Sequence, residues 1–194
     1  MALGGAEVTR ACADVVGGLV CLACQAMIIH AFDGSRIACA LLSDGVGATL
    51  AASAFVPYYT YDTSGGLAVA GSVSPMSTSG TTQTFAWSLS GVDPQCSSGA
   101  GTAANSCGIH IHSGRTCTDN AGGHYYETST VTSDPWTSVA YTSDGSGVST
   151  GSAVVTTGGS SADVTLSALE CGHAMRAWRD GASVSVLASV CSEC

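Results

Sequence analysis

The stretch Thr84-Phe85-Ala86-Trp87-Ser88-Leu89 sets Phe85, Trp87 and Leu89 at every second position, with smaller or polar residues between them. A period of two belongs to a strand with one face in a core. Val184-Ser185-Val186-Leu187-Ala188-Ser189-Val190 carries the same alternation. Around these runs, from Ala54 onward, the chain is Ser, Thr, Gly and Val, broken by Ser64-Gly65-Gly66, Asp144-Gly145 and Gly158-Gly159. Strand formers separated by turn residues at short intervals predict an all-β sandwich or barrel. Strands are expected over residues 67–73, 82–89, 108–112, 138–142, 152–156, 164–168, 174–178 and 184–190, with residues 74–81 as a flexible linker.

A chain of 194 residues has the length of one domain, and 45% apolar residues against 10% charged argue against disorder. Five Arg, no Lys and 14 acidic residues give a net charge of -9. Such a chain repels phosphate backbones and anionic headgroups, which excludes nucleic acid and membrane-surface partners. The apolar run of residues 15–29 is too short to span a bilayer, and no transmembrane segment is expected. Ten Cys include two CxxC pairs, Cys21/Cys24 and Cys191/Cys194, too far apart for one zinc ribbon. Disulfides formed in an oxidising compartment, extracellular or an organelle lumen, explain them better. Cys96 and Cys107 flank a loop of about ten residues and form the clearest expected pair.

An internal repeat divides the chain. Ala26-Met27-Ile28-Ile29-His30-Ala31-Phe32-Asp33-Gly34-Ser35-Arg36-Ile37-Ala38-Cys39 aligns with the segment from Ala174 to Val186, each a strand, a Gly turn and a second strand. Residues 1–53 therefore read as the last two strands of a preceding repeat, and residues 54–194 as a complete domain. The apolar strands of the fragment need a surface to cover them, which predicts a protein partner.

The chemistry concentrates in Cys107-Gly108-Ile109-His110-Ile111-His112-Ser113-Gly114. Residues two apart on a strand share a face, so His110 and His112 present adjacent imidazoles, a spacing suited to a transition metal. Gly122-Gly123-His124 offers a third ring on a loop that can fold back. Tyr58, Tyr59 and Tyr61 are read as covering a sheet end, and Trp87 and Trp136 as packing.

Gly108-Ile109-His110-Ile111-His112, then Cys117, then His124, together with His30 and Gly34-Ser35-Arg36-Ile37-Ala38-Cys39 in the fragment, resemble the Cu/Zn superoxide dismutase family. The resemblance implies a Greek-key β-sandwich of that family's type and a metal set of His110, His112 and His124, with His30 and Asp134 as further candidates and copper as the metal. It implies no family-type zinc site, because no two further histidines follow His124 in its loop. In the complete domain Trp178 stands where the family has its last copper histidine, Ser183 where it has the Arg that guides the anionic substrate, and Val186 where it has the cysteine partner of Cys117. Cys171 is then the expected partner of Cys117. The hairpin at residues 174–190 is expected in the slot beside the histidines. Docking of the fragment there, which would bring His30, Arg36 and Cys39 to the site, is the alternative. With ligand and guiding charge lost, the leading expectation is a non-catalytic accessory or structural subunit. The competing one is a copper-dependent dismutase or copper-binding protein using His110, His112 and His124.

Overall fold

The computed structural model describes residues 25–44 and 49–158. Among these residues eight strands run in chain order as β1 (Ala26–His30), β2 (Arg36–Asp44), β3 (Leu50–Ala52), β4 (Val56–Pro57), β5 (Ala70–Ser79), β6 (Thr82–Ser90), β7 (Ile109–His112) and β8 (Val148–Thr156). Among the described residues the helical content is two short 3-10 turns, Thr63–Gly65 and Pro94–Ser98. Every pairing is antiparallel, in the spatial order β7-β1-β2-β3-β5-β6-β8, with β4 attached to β2.

This ribbon curls onto itself. One apolar cluster joins Ile109 and Ile111 of β7, at one end of the order, to Phe85 and Leu89 of β6 and Val155 of β8 at the other. Such a cluster requires the two ends of the sheet to face each other across a shared core, as in a sandwich or barrel. Trp136 and Tyr141 from the long connection before β8 are fully buried in it.

The alternation in β6 behaves as its sequence predicts: Phe85, Trp87 and Leu89 point inward while Thr84 and Ser88 are exposed. The stretch expected as a linker is instead the body of β5. Its register breaks between Val73 and Met76, a bulge that takes up Pro75, and a Gly80 turn returns the chain into β6. At 138–142 no ladder forms; Ala140 makes one isolated bridge to Gly108, and Tyr141 spends its hydroxyl on the His30 carbonyl at 2.8 Å. The strands expected at 164–168, 174–178 and 184–190 lie outside the described residues.

Residues 26–44 lie in the same sheet as the strands that follow them, against expectation. β1 pairs with β7 along Ala26↔His112, Met27↔Ile111, Ile28↔His110 and Ile29↔Ile109, so the N-terminal hairpin holds the slot beside the histidines, while residues 174–190, expected there, lie outside the described residues. Strands on both sides of residue 53 share the same sheet. β1 is buried along its whole length. Met27 and Ile29 enter the main core, while Ala26 and Ile28 pack with Cys39, Tyr58 and Ala121 on the opposite face. The apolar residues of β1 are covered within the chain, while Leu41 of β2 stays exposed.

Two disulfides join the described residues. Cys96–Cys107 closes the loop between β6 and β7, as its spacing predicts. Cys117 is bonded to Cys39 rather than to the expected Cys171, which lies outside the described residues. The difference follows from the docked hairpin, which carries Cys39 to the loop after β7. Both bonds point to an oxidising environment.

Candidate metal centre

Residues directly opposite across an antiparallel pair share a face. Ile28 lies opposite His110 and Ala26 opposite His112, so the next residue of that face on β1, His30, comes level with Gly108 beside His110. Gly108 has no side chain to obstruct the His110 ring, which lies where a Cβ at 108 would be. The chain after β7 returns alongside it: Ser113 N donates to Gly123 O at 2.9 Å, Gly114 N to Ala121 O at 2.7 Å, and Tyr125 N to Ile111 O at 2.9 Å. Gly122, at φ +73, makes the bend, and His124 lands opposite His112.

One potential ligand atom from each of His30, His110, His112 and His124 lies within 4.8 Å of the other three. Ring centroids are 5.0 Å apart for His30 and His110, 4.4 Å for His110 and His124, and 5.0 Å for His112 and His124. His110, His112 and His124, the expected set, are brought together, and His30 completes it. Asp134 stands outside the group; its carboxylate is 2.6 Å from His124 Nδ1.

Each ring spends one nitrogen on an oxygen acceptor. His30 Nδ1 donates to Gly34 O at 2.9 Å, His110 Nε2 to Val139 O at 2.8 Å and His112 Nδ1 to Gly122 O at 2.9 Å. A carbonyl only accepts, so these nitrogens carry the hydrogen and the opposite ones carry lone pairs. Those opposite nitrogens, His30 Nε2, His110 Nδ1 and His112 Nε2, are buried without any hydrogen-bond partner. Leaving three buried polar atoms unpaired is costly, and a cation shared among them removes the cost. On His124 the bond from Nδ1 to Asp134 leaves Nε2 with the free lone pair, a carboxylate–imidazole arrangement that fixes the tautomer. The rings of His30, His110 and His112 stay neutral. Burial, the largest cause in each case, pushes His30 down to about 4, His112 to about 3 and His110 to about 2, with the Arg36 charge adding to the effect at His30 and His112.

The four imidazoles thus form a buried group able to hold a metal ion, with no thiolate among them. No family model, curated protein or solved structure matches the chain.

The docked hairpin also supplies a charge that was expected to be missing from this region. Arg36 donates through Nη1 to Tyr58 Oη at 2.6 Å and Asn120 Oδ1 at 3.2 Å, and through Nη2 to Gly122 O at 2.6 Å. The Gly122 carbonyl therefore accepts from both Arg36 and His112. Tyr58 and Asn120 were not legible as site residues: Tyr58 reads as a sheet-end aromatic, and nothing in its spacing links it to Arg36. His173 lies outside the described residues.

Proposed function

We propose that the chain is a divergent copper-dependent superoxide dismutase, its copper held by His30 Nε2, His110 Nδ1, His112 Nε2 and His124 Nε2. The observation that carries this reading is the convergence of three orphaned buried nitrogens and a fourth imidazole from two distant parts of the chain. Divalent first-row metals bind nitrogen sites most tightly at Cu(II), and an all-imidazole set suits it. Under this reading the curled sheet is a Greek-key sandwich of the superoxide dismutase type.

Copper, when bound, would supply one-electron chemistry by which two superoxide ions and two protons become dioxygen and hydrogen peroxide. The remaining tasks fall to the chain. The carbonyls of Gly34, Val139 and Gly122 hold three rings in the tautomer that offers a lone pair, and Asp134 does the same for His124. His124 is the least buried of the four, which makes its side the approach to the group. Arg36 provides positive charge for an anionic substrate in an otherwise acidic chain. The accessory-subunit reading rested on a lost fourth ligand and a lost guiding Arg; His30 and Arg36 supply residues of both kinds, which favours the enzyme.

Metal analysis of the full chain with a superoxide-consumption assay tests the proposal. About one copper per chain, lost together with activity in His112→Ala, is the expected result. A chain that takes up no copper, or copper-loaded chain without activity, overturns it.

A further inference from the structure

An Arg that attracts an anion must be held in place without losing its charge. Arg36 meets both conditions in an unusual way. Its three acceptors, Tyr58 Oη, Asn120 Oδ1 and Gly122 O, are all neutral, and among the described residues no carboxylate pairs with it. A carboxylate would bind the guanidinium more strongly but would cancel the field that draws in an anion. Three of the five N–H donors are engaged by these acceptors.

Of the three acceptors, Tyr58 is the one whose side chain is itself firmly fixed. β4 pairs with β2 through Ala38↔Pro57, and Tyr58 N donates to Ile37 O at 3.0 Å, so the register sets Tyr58 beside Arg36. The side chain is 3% exposed and packed against Ala26, Ile28, Cys39 and Ala121. Its hydroxyl oxygen accepts from Arg36 Nη1 and from Ala121 N at 3.2 Å, and the guanidinium carbon lies 5.3 Å from the ring centroid. A buried phenol with its oxygen turned toward a cation, and its ring within cation–π range, holds that cation without neutralising it.

We propose that Tyr58 is a positioning residue for Arg36, holding the guanidinium beside the four-histidine group with its charge available to a small monovalent anion. The inference rests on the copper reading, because the anion is bound next to that metal. Tyr58 touches neither metal nor substrate; its effect passes through Arg36 and the Gly122 carbonyl that Arg36 shares with His112.

The test uses copper-loaded full chain and azide, a monovalent anion, followed by the change it makes in the copper absorption spectrum. Tyr58→Phe keeps the packing and removes the acceptor. It is expected to bind copper at the wild-type stoichiometry, to bind azide about fivefold more weakly and to show a flatter ionic-strength dependence of superoxide consumption. Arg36→Ala weakens azide further, and adding Tyr58→Phe to it changes nothing more. Asn120→Ala removes an exposed acceptor of the same guanidinium and gives a smaller loss in the same direction. Wild-type azide affinity and salt dependence in Tyr58→Phe, an effect that persists in the Arg36→Ala background, or loss of copper from Tyr58→Phe each overturns the positioning role. Failure of the wild-type chain to take up copper instead overturns the functional reading beneath it.

Discussion

His124 turns one nitrogen to the Asp134 carboxylate and leaves the other for the neighbouring rings, so a single proton position decides whether the imidazole can act as a ligand. Asp134→Asn is expected to keep copper at the four-histidine group but to weaken it by about 10- to 100-fold, the usual cost of losing a partner behind a metal-binding ring. Competition with a calibrated chelator measures this, and unchanged affinity would show that Asp134 does not tune the ring. His30→Ala asks a different question, whether the hairpin supplies a ligand at all. Losing one of four donors is expected to change the copper electron paramagnetic resonance spectrum, reducing the nitrogen hyperfine pattern. A spectrum identical to wild type would remove His30 from the site.

At the scale of elements, β7 depends on a residue with no side chain. A Cβ on Gly108 would enter the His110 ring and approach Asn105 O at 2.9 Å. Gly108→Ala is therefore expected to destabilise the chain by about 1–3 kcal/mol, the range for forcing an extra group into a packed site. Thermal unfolding reports this, and a wild-type midpoint would mean that the ring relaxes freely. The strands differ in how legible they were. β6 announces itself because every second residue is large and apolar. β5 does so only over residues 70–73, inside the strand expected at 67–73; beyond them Ser and Thr dominate and Pro75 suggests a break, yet the pairing with β6 overrides local preference around a bulge. The pair His110/His112 and the return of His124 were readable from a period of two and a double Gly. The position of His30 was not settled by spacing, because the sequence from Ala174 to Val186 repeats the pattern of residues 26–39 and only tertiary pairing sets His30 beside β7.

Over the whole molecule, the disulfides and buried imidazoles set the conditions for stability. Cys39–Cys117 spans 78 residues and Cys96–Cys107 spans 11. The chain-entropy relation gives about 4.5 and about 3 kcal/mol for closing loops of these lengths, so Cys39→Ser is expected to lower the denaturant midpoint more than Cys96→Ser. The opposite order would indicate that native-state strain outweighs loop length. The pH dependence has a definite sign. His30, His110 and His112 hold pKa values below their ordinary 6.5 in the folded chain. Below that pH the unfolded chain binds more protons, so stability is full above about 6.5 and falls as the pH drops, by roughly 1.4 kcal/mol per pH unit for each ring. For His30 the loss levels off near pH 4. Urea titrations of metal-free chain at pH 7 and pH 5 are expected to give a clearly lower midpoint at pH 5, and equal midpoints would contradict the neutrality of these rings.

The pairing of β1 with β7 also bears on how the chain is made. β1 leaves the ribosome well before the strand that will cover its edge, so a nascent chain carries an unsatisfied hydrogen-bonding edge and a bare apolar face until Ile109–His112 arrives. Pairing of such long range in sequence is slow, and ion capture has to wait for it, since His30 meets the other three imidazoles only when β7 has paired with β1.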